Sequence, residues 1–158
     1  MVVDDDEHIR NLLAVFLRDL PDCKIEFAEN AKLAQNQINN QKYHAILSDV
    51  QMPEMTGLEL LDWIRKKSDR TPFVIMTAFG DEEKVLEGLK NGAFDFIEKP
   101  LNKKTIFPVV ASALELGQEI QRWSGDADST PFLETMLKDS AELSQRRLMK
   151  IIEGYRKK

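Results

Sequence analysis

The chain has 158 residues, of which 42% are hydrophobic and 31% charged, enough for one well-buried core of ordinary globular composition. No apolar run approaches the roughly 20 residues that a membrane-spanning helix needs, and Met1-Val2-Val3 leads straight into acids without the basic-then-apolar pattern of a secretory signal. The net charge of −5 is uneven, with 21 acids and 15 bases up to Arg122 against 6 and 7 from Ser124 onward, which argues against nucleic-acid binding by an acidic main domain. A cytoplasmic location without membrane contact is expected. The single Cys23 has no second Cys for a disulfide or a zinc cluster, fits a reducing compartment and is read as a small buried residue.

Residues 7 to 20 place Ile9, Leu12, Leu13, Phe16, Leu17 and Leu20 at three-four spacing, the apolar stripe of a helix. After the Pro21-Asp22 turn, Ile25 and Phe27 alternate with polar residues as in a short strand, and residues 31 to 41 read as a helix with Ala34 and Ile38 inward. His44 to Ser48 is a near-continuous apolar run, as in a strand covered on both faces, with Asp49 at its end. Pro53 to Gly57 forms a loop. Leu58, Leu61 and Ile64 then make the inner stripe of a helix closed by Arg65-Lys66-Lys67, whose charges complement its dipole. Pro72 to Met76 is the next buried strand, followed by a helix around Val85, Leu86 and Leu89 that ends near Asn91 with Gly92 as its C-cap. Phe94 to Glu98 gives the last strand, and Thr105 to about Arg122 a final helix in which Pro108 is tolerated by falling in the first turn.

Strands alternating with helices imply a parallel sheet with helices on both faces. The expected fold class is α/β, a flavodoxin-like doubly wound five-stranded sheet of order 2-1-3-4-5 with a C-terminal helical extension, and such sheets bind ligands outside the carboxyl ends of their strands. Asp4-Asp5, Asp49, Thr77 and Lys99 each fall just after an apolar run, so all would meet at that edge. Three carboxylates brought together repel and must hold a proton or a cation. Mg²⁺ suits oxygen ligands and commonly takes one or two carboxylates together with phosphate oxygens.

The acid pair, Asp49-Val50-Gln51-Met52-Pro53, Met76-Thr77-Ala78 and Lys99-Pro100 together resemble the receiver domain of bacterial two-component response regulators, most closely those of the nitrogen-regulator type, over residues 1–122. The resemblance implies Mg²⁺ held by Asp4, Asp5, Asp49 and the backbone carbonyl of Gln51. It also implies a phosphoryl group accepted on Asp49 from a histidine kinase or phosphotransfer protein, with Thr77 and Lys99 supporting the transfer. Thr77 and Phe96 would form the switch, the ring turning inward as the hydroxyl moves to the phosphoryl group, whose arrival adds charge of about −1.5 to −2. Gln51 and Phe79 hold the positions that tune dephosphorylation, and Phe79 is expected to shield the attacking water and lengthen the phosphoryl lifetime. Such a domain assists its own Mg²⁺-dependent phosphorylation and dephosphorylation and is otherwise not an enzyme.

Taken singly these residues have plainer readings, as solvated strand-end charges, a strand Thr and a core aromatic. Asp6 and Glu7 are read that way, as first-turn helix acids. A rival enzyme class, the aspartyl phosphohydrolases, lacks support because Val50 and Gln51 follow Asp49 where an Asp-x-Asp-x-Thr motif is needed. The other alternative is a receiver-like binding module that acts independently of phosphorylation.

Only three residues precede the acid pair, fewer than the roughly five of a usual strand, so a shortened and weaker first strand is expected. Leu101 stands where the family often has Phe. With no phosphate-binding loop of the Gly-Lys-Thr type, the chain reads as a stand-alone receiver or a piece of a longer regulator. Residues 123–130 have linker composition. Residues 131–158 read as an amphipathic helical extension with Leu133, Met136, Leu137, Leu143, Leu148, Ile151, Ile152 and Tyr155 as its apolar residues, in need of its own receiver, a second copy or another protein partner. Its basic residues are read as a solvated face, which favours homodimerisation or partner docking over nucleic-acid contact.

Overall fold

Alternating side chains on buried strands must satisfy two apolar layers at once, and the central strands here are buried at every position. The computed structural model describes residues 1–78 and 80–123, together with the isolated helical and exposed positions Thr135, Lys138, Asp139 and Glu142. Its elements are β1 (Val2–Val3), α1 (Glu7–Leu17), β2 (Phe27–Ala28), α2 (Ala31–Asn40), β3 (Ile46–Asp49), α3 (Gly57–Lys66), β4 (Phe73–Thr77), α4 (Glu82–Lys90), β5 (Asp95–Glu98) and α5 (Lys103–Trp123). All strand pairs are parallel and the order is β2-β1-β3-β4-β5, the expected doubly wound α/β sheet. Val3, Ile46, Ile75 and Phe96 face the layer of α2, α3 and α4, whereas Val2, Leu47, Val74 and Ile97 face α1 and α5.

The first strand is as short as expected but is paired on both sides. Val2 N–H donates to the Glu26 carbonyl at 2.8 Å, Leu47 N–H to the Met1 carbonyl at 2.9 Å and Asp4 N–H to the Ala28 carbonyl at 3.2 Å. Helix starts are set by side-chain caps. Asp6 accepts from His8 N–H at 2.8 Å and is therefore the N-cap of α1, one position outside the first turn expected for it. Thr56 and Glu59 close a reciprocal capping box on α3.

Several expectations are corrected. The inner face of α3 is Gly57, Leu60, Leu61 and Ile64, with Leu58 only half-buried beside it. Cys23 is half-buried rather than interior, because it lies in the irregular chain before β2. Pro108 is not in the first turn of α5. Asn102 accepts from Lys104 N–H at 2.8 Å and starts the helix at Lys103, so Pro108 is its sixth residue and leaves the Lys104 carbonyl without its helical donor. Trp123, expected to open the linker at 123–130, is instead the last residue of α5, whereas Phe79, residues 124–130 and most of the extension at 131–158 lie outside the described residues.

At the edge opposite the strand carboxyl ends, Gly92 takes φ +89° and completes a Schellman end to α4, with Gly92 N–H on the Leu89 carbonyl and Ala93 N–H on the Gly88 carbonyl. The Arg65 guanidinium gathers the neighbouring loops, donating to the carbonyls of Gly92 (2.8 Å), Asp69 (2.8 Å) and Thr71 (3.0 Å). Desolvation lowers its pKa to about 10, and it stays charged at neutral pH. Replacing Arg65 by Ala strands three carbonyls and is expected to lower the urea-unfolding free energy by about 2–4 kcal/mol. Arg65→Lys should recover less than half, since an ammonium cannot reproduce the planar fork. A loss below about 0.5 kcal/mol in Arg65→Ala would refute this role.

Candidate functional site

Strand polarity brings Asp4 and Asp5, Asp49, Thr77 and Lys99 to one edge because each follows the carboxyl end of β1, β3, β4 or β5 or lies at it. Asp4 is fully buried and Asp49 nearly so, while Asp5 is exposed, and each offers a carboxylate oxygen within 4.8 Å of the others. One Asp4 oxygen accepts from Asp6 N–H at 2.9 Å and the other from Lys99 Nζ at 3.2 Å. The same ammonium lies 2.9 Å from Asp49 Oδ1, so a single cation spans two buried acids on different strands. Backbone bonds hold the spacing: Lys99 N–H donates to the Thr77 carbonyl at 2.7 Å and Val50 N–H to the Met76 carbonyl at 3.0 Å.

Burial, helped by the nearby Asp49 charge, raises the Asp4 pKa although the Asp6 amide and Lys99 oppose it. Burial also works against the Lys99 charge, but its hydrogen bond and attraction to Asp49, followed by those to Asp4, prevail and raise the ammonium pKa. The ensemble is an acid cluster with one movable countercharge. Its donor set of three carboxylates fits a hard divalent cation of the Mg²⁺ kind, which would relieve the residual acid excess.

The Thr77 hydroxyl is buried at the end of β4 and contacts the Ala78 carbonyl at 3.5 Å and Asp81 Oδ2 at 3.3 Å. Gln51 sits exposed in the loop after β3, with its amide 3.5 Å from the same Asp81 oxygen. Phe96 lies in the core at 3% exposure, so its inward position is already populated. Two residues that the sequence reading did not single out shape this edge. Gly57 packs its α-carbon over β3, where an added Cβ would stand 2.0 Å from the Asp49 carbonyl oxygen, and its N–H donates to the Val50 carbonyl at 2.9 Å. Its position eight residues past the acid carried no separate signal. Asp81, four residues past Thr77, accepts from its hydroxyl and carried no signal beyond that of an acid ahead of a helix.

Comparison with known proteins decides the family: the response regulator receiver domain matches residues 1–111. The chain belongs to that family. It is therefore a signalling module of two-component systems, and α5 runs on beyond the matched region to Trp123. It is similar to the response regulator protein PilR of Pseudomonas aeruginosa, 33% identical over 116 residues that make up 73% of this chain and 26% of that protein. The regulatory protein AtoC of Escherichia coli is 28% identical over 98% of this chain and 36% of its own length. Among solved structures, the receiver domain of NtrX from Brucella abortus superposes with a TM-score of 0.68 at 34% identity, covering 72% of this chain and 96% of that domain. The nitrogen-regulator likeness of the receiver is thus borne out, and the chain spans about a quarter of PilR and about a third of AtoC. Among the described residues, no helix is long and apolar enough to cross a membrane.

Because the folded pKa of Asp4 lies above its unfolded value, this carboxyl stabilises the fold below the ordinary value of 3.8, and that contribution is lost as pH rises through the folded pKa. Without divalent cation, Asp4→Asn should therefore melt above wild type at pH 7, by about 3–5 °C. The gap should close on acidification toward pH 3.8 and below. Melting curves across that range check it; a variant less stable than wild type at neutral pH, or a gap that does not change with pH, would refute it.

Proposed function

We propose that the receiver is a phosphorylation-controlled switch in which Asp49 accepts a phosphoryl group from a histidine kinase or phosphotransfer protein. The observation that carries this reading is the placement of Asp49 at the end of β3, with Lys99 Nζ 2.9 Å from its carboxylate and Asp4 and Asp5 close by. In the transfer, an Asp49 carboxylate oxygen bonds to phosphorus as the donor's P–N bond breaks and its electron pair returns to the imidazole nitrogen. Such transfer depends on positioning and on neutralising the oxygens of the moving group. Mg²⁺, when held by Asp4, Asp5, Asp49 and the Gln51 carbonyl, supplies part of that neutralising charge. Lys99 supplies more by turning its ammonium from the acids to the incoming oxygens, and the Thr77 hydroxyl donates to one of them. Gln51, in the loop after β3, and Phe79 are the residues that tune its hydrolysis in this reading.

The site is a phosphoacceptor that assists its own phosphorylation and dephosphorylation, and its changed state passes through Thr77 and Phe96 to a downstream protein partner, a second copy or the extension at 131–158. PilR and AtoC are named as regulators, and SrrA of Staphylococcus aureus, 32% identical over 118 residues, as a transcriptional one. The matches to PilR and SrrA cover about three quarters of this chain, and contact with nucleic acid is not assigned to its acidic receiver.

Incubation with Mg²⁺ and acetyl phosphate should add one phosphoryl group to wild type by intact mass. Asp49→Asn should gain none, and chelation of the metal should cut the rate at least tenfold. A larger hydrodynamic size after phosphorylation would assign the extension to dimerisation. Absence of any added mass while Mg²⁺ binding is detected would overturn the switch reading in favour of a binding module that acts independently of phosphorylation.

A further inference from the structure

Asp81 occupies the N-cap position of α4, where an Asp side chain ordinarily accepts an N–H from the first helical turn. It makes no such cap, and its backbone at φ −95°, ψ 34° differs from the extended backbone that caps α1, α2 and α3. Its carboxylate is spent elsewhere. Oδ1 pairs with Lys84 Nζ at 3.0 Å, and Oδ2 receives the Thr77 hydroxyl at 3.3 Å and the Gln51 amide at 3.5 Å. One acid thus ties together the end of β4, the loop after β3 and the first turn of α4.

The contact matters because Thr77 has one hydroxyl proton to donate. While that proton points at Asp81, it is not available to a phosphoryl oxygen on Asp49. At 3.3 Å the bond is longer than the roughly 2.7–2.8 Å of a strong hydroxyl bond, so a better acceptor can take it. Phe96 is already inside the core, so exchange of the Thr77–Asp81 contact does not wait on that ring turning inward. Lys84 anchors one carboxylate oxygen and thereby keeps the other turned toward Thr77.

Building on the phosphoacceptor reading, we propose that Asp81 is a positioning residue: it holds the Thr77 hydroxyl against α4 in the unphosphorylated protein and sets how readily the receiver is phosphorylated and switched. When the phosphoryl group arrives, the hydroxyl transfers its hydrogen bond to a phosphoryl oxygen, and Asp81, with the first turn of α4, is released.

Two readouts test this. The first needs no phosphorylation: three-bond couplings about the Thr77 χ1 torsion, measured by NMR in wild type and Asp81→Ala. A change of rotamer population at Thr77 is expected, and unchanged couplings would overturn the proposal even if Asp49 proves to be the acceptor. The second is the phosphorylation rate with acetyl phosphate and Mg²⁺, read by intact mass. Asp81→Ala should raise it roughly three- to tenfold, the scale of one ordinary net hydrogen bond, as suits a contact this long, and Lys84→Met should raise it less. In a Thr77→Ala background the Asp81 effect should vanish, whereas a merely structural role would leave it intact and so overturn the proposal. If wild type takes up no phosphoryl group, the phosphoacceptor reading fails and the rotamer measurement still decides whether Asp81 positions Thr77.

Discussion

One ammonium stands between two buried carboxylates, and the working edge of the receiver is arranged around that contact. Lys99 lies within 3.2 Å of Asp4 and 2.9 Å of Asp49. Leaving either acid charged, buried and unpaired would cost several kcal/mol, so the cation is a condition for this edge to exist without a metal ion. Yet the countercharge sits on a flexible stem and is one quarter exposed. A rigid, fully buried arginine fork would hold the acids more firmly and would be harder to displace. Lysine holds the two acids together and, on the proposed reading, would be free to turn toward other oxygens once a divalent ion took over their charge.

The parallel topology makes such a contact possible between residues 95 positions apart in the chain. Parallel strands present all their carboxyl ends on one side, and the register of β3 on β4 and of β4 on β5 aligns Asp49 with Met76 and Thr77 with Glu98. Small residues then allow close approach: Gly57 lets α3 begin against the Asp49 carbonyl, where any Cβ would collide. Arg65 plays the complementary part at the other edge, where loops rather than strand ends meet. One edge thus gathers carboxylates around a cation, and the other gathers carbonyls around one.

Much of this was legible from the residues because the signals were local and repeated. Buried strands announced themselves as apolar runs, and the position just past each run placed Asp49, Thr77 and Lys99 at one edge before any contact was known. What failed was decided by atoms distant in sequence or by competition between neighbours. Leu58 fits the three-four stripe as well as Leu60 does, and only the packing of α3 against the sheet selects Leu60. Pro108 was misplaced because Asn102 captures the helix start two residues ahead of Thr105. Asp81 looks like any acid before a helix, and its diversion from capping to Thr77 depends on how β4 approaches α4.

The Thr77–Asp81 bond is long for a hydroxyl bond, and a switch built on it would be finely balanced. A long hydrogen bond of about 1 kcal/mol favours the held state by about fivefold, leaving the released state a minor but populated one. A short, well-aligned bond to a charged phosphoryl oxygen would be worth about 1.5–3 kcal/mol, and the difference from the long Asp81 contact would be enough to invert the populations without rebuilding the fold. A stronger latch would demand more differential affinity than one hydroxyl can deliver, and a weaker one would leave the receiver switched on before phosphorylation. Because the competing acceptor stands at the N-cap position of α4 rather than on the sheet, a choice made by one proton at Thr77 would be felt at the start of that helix.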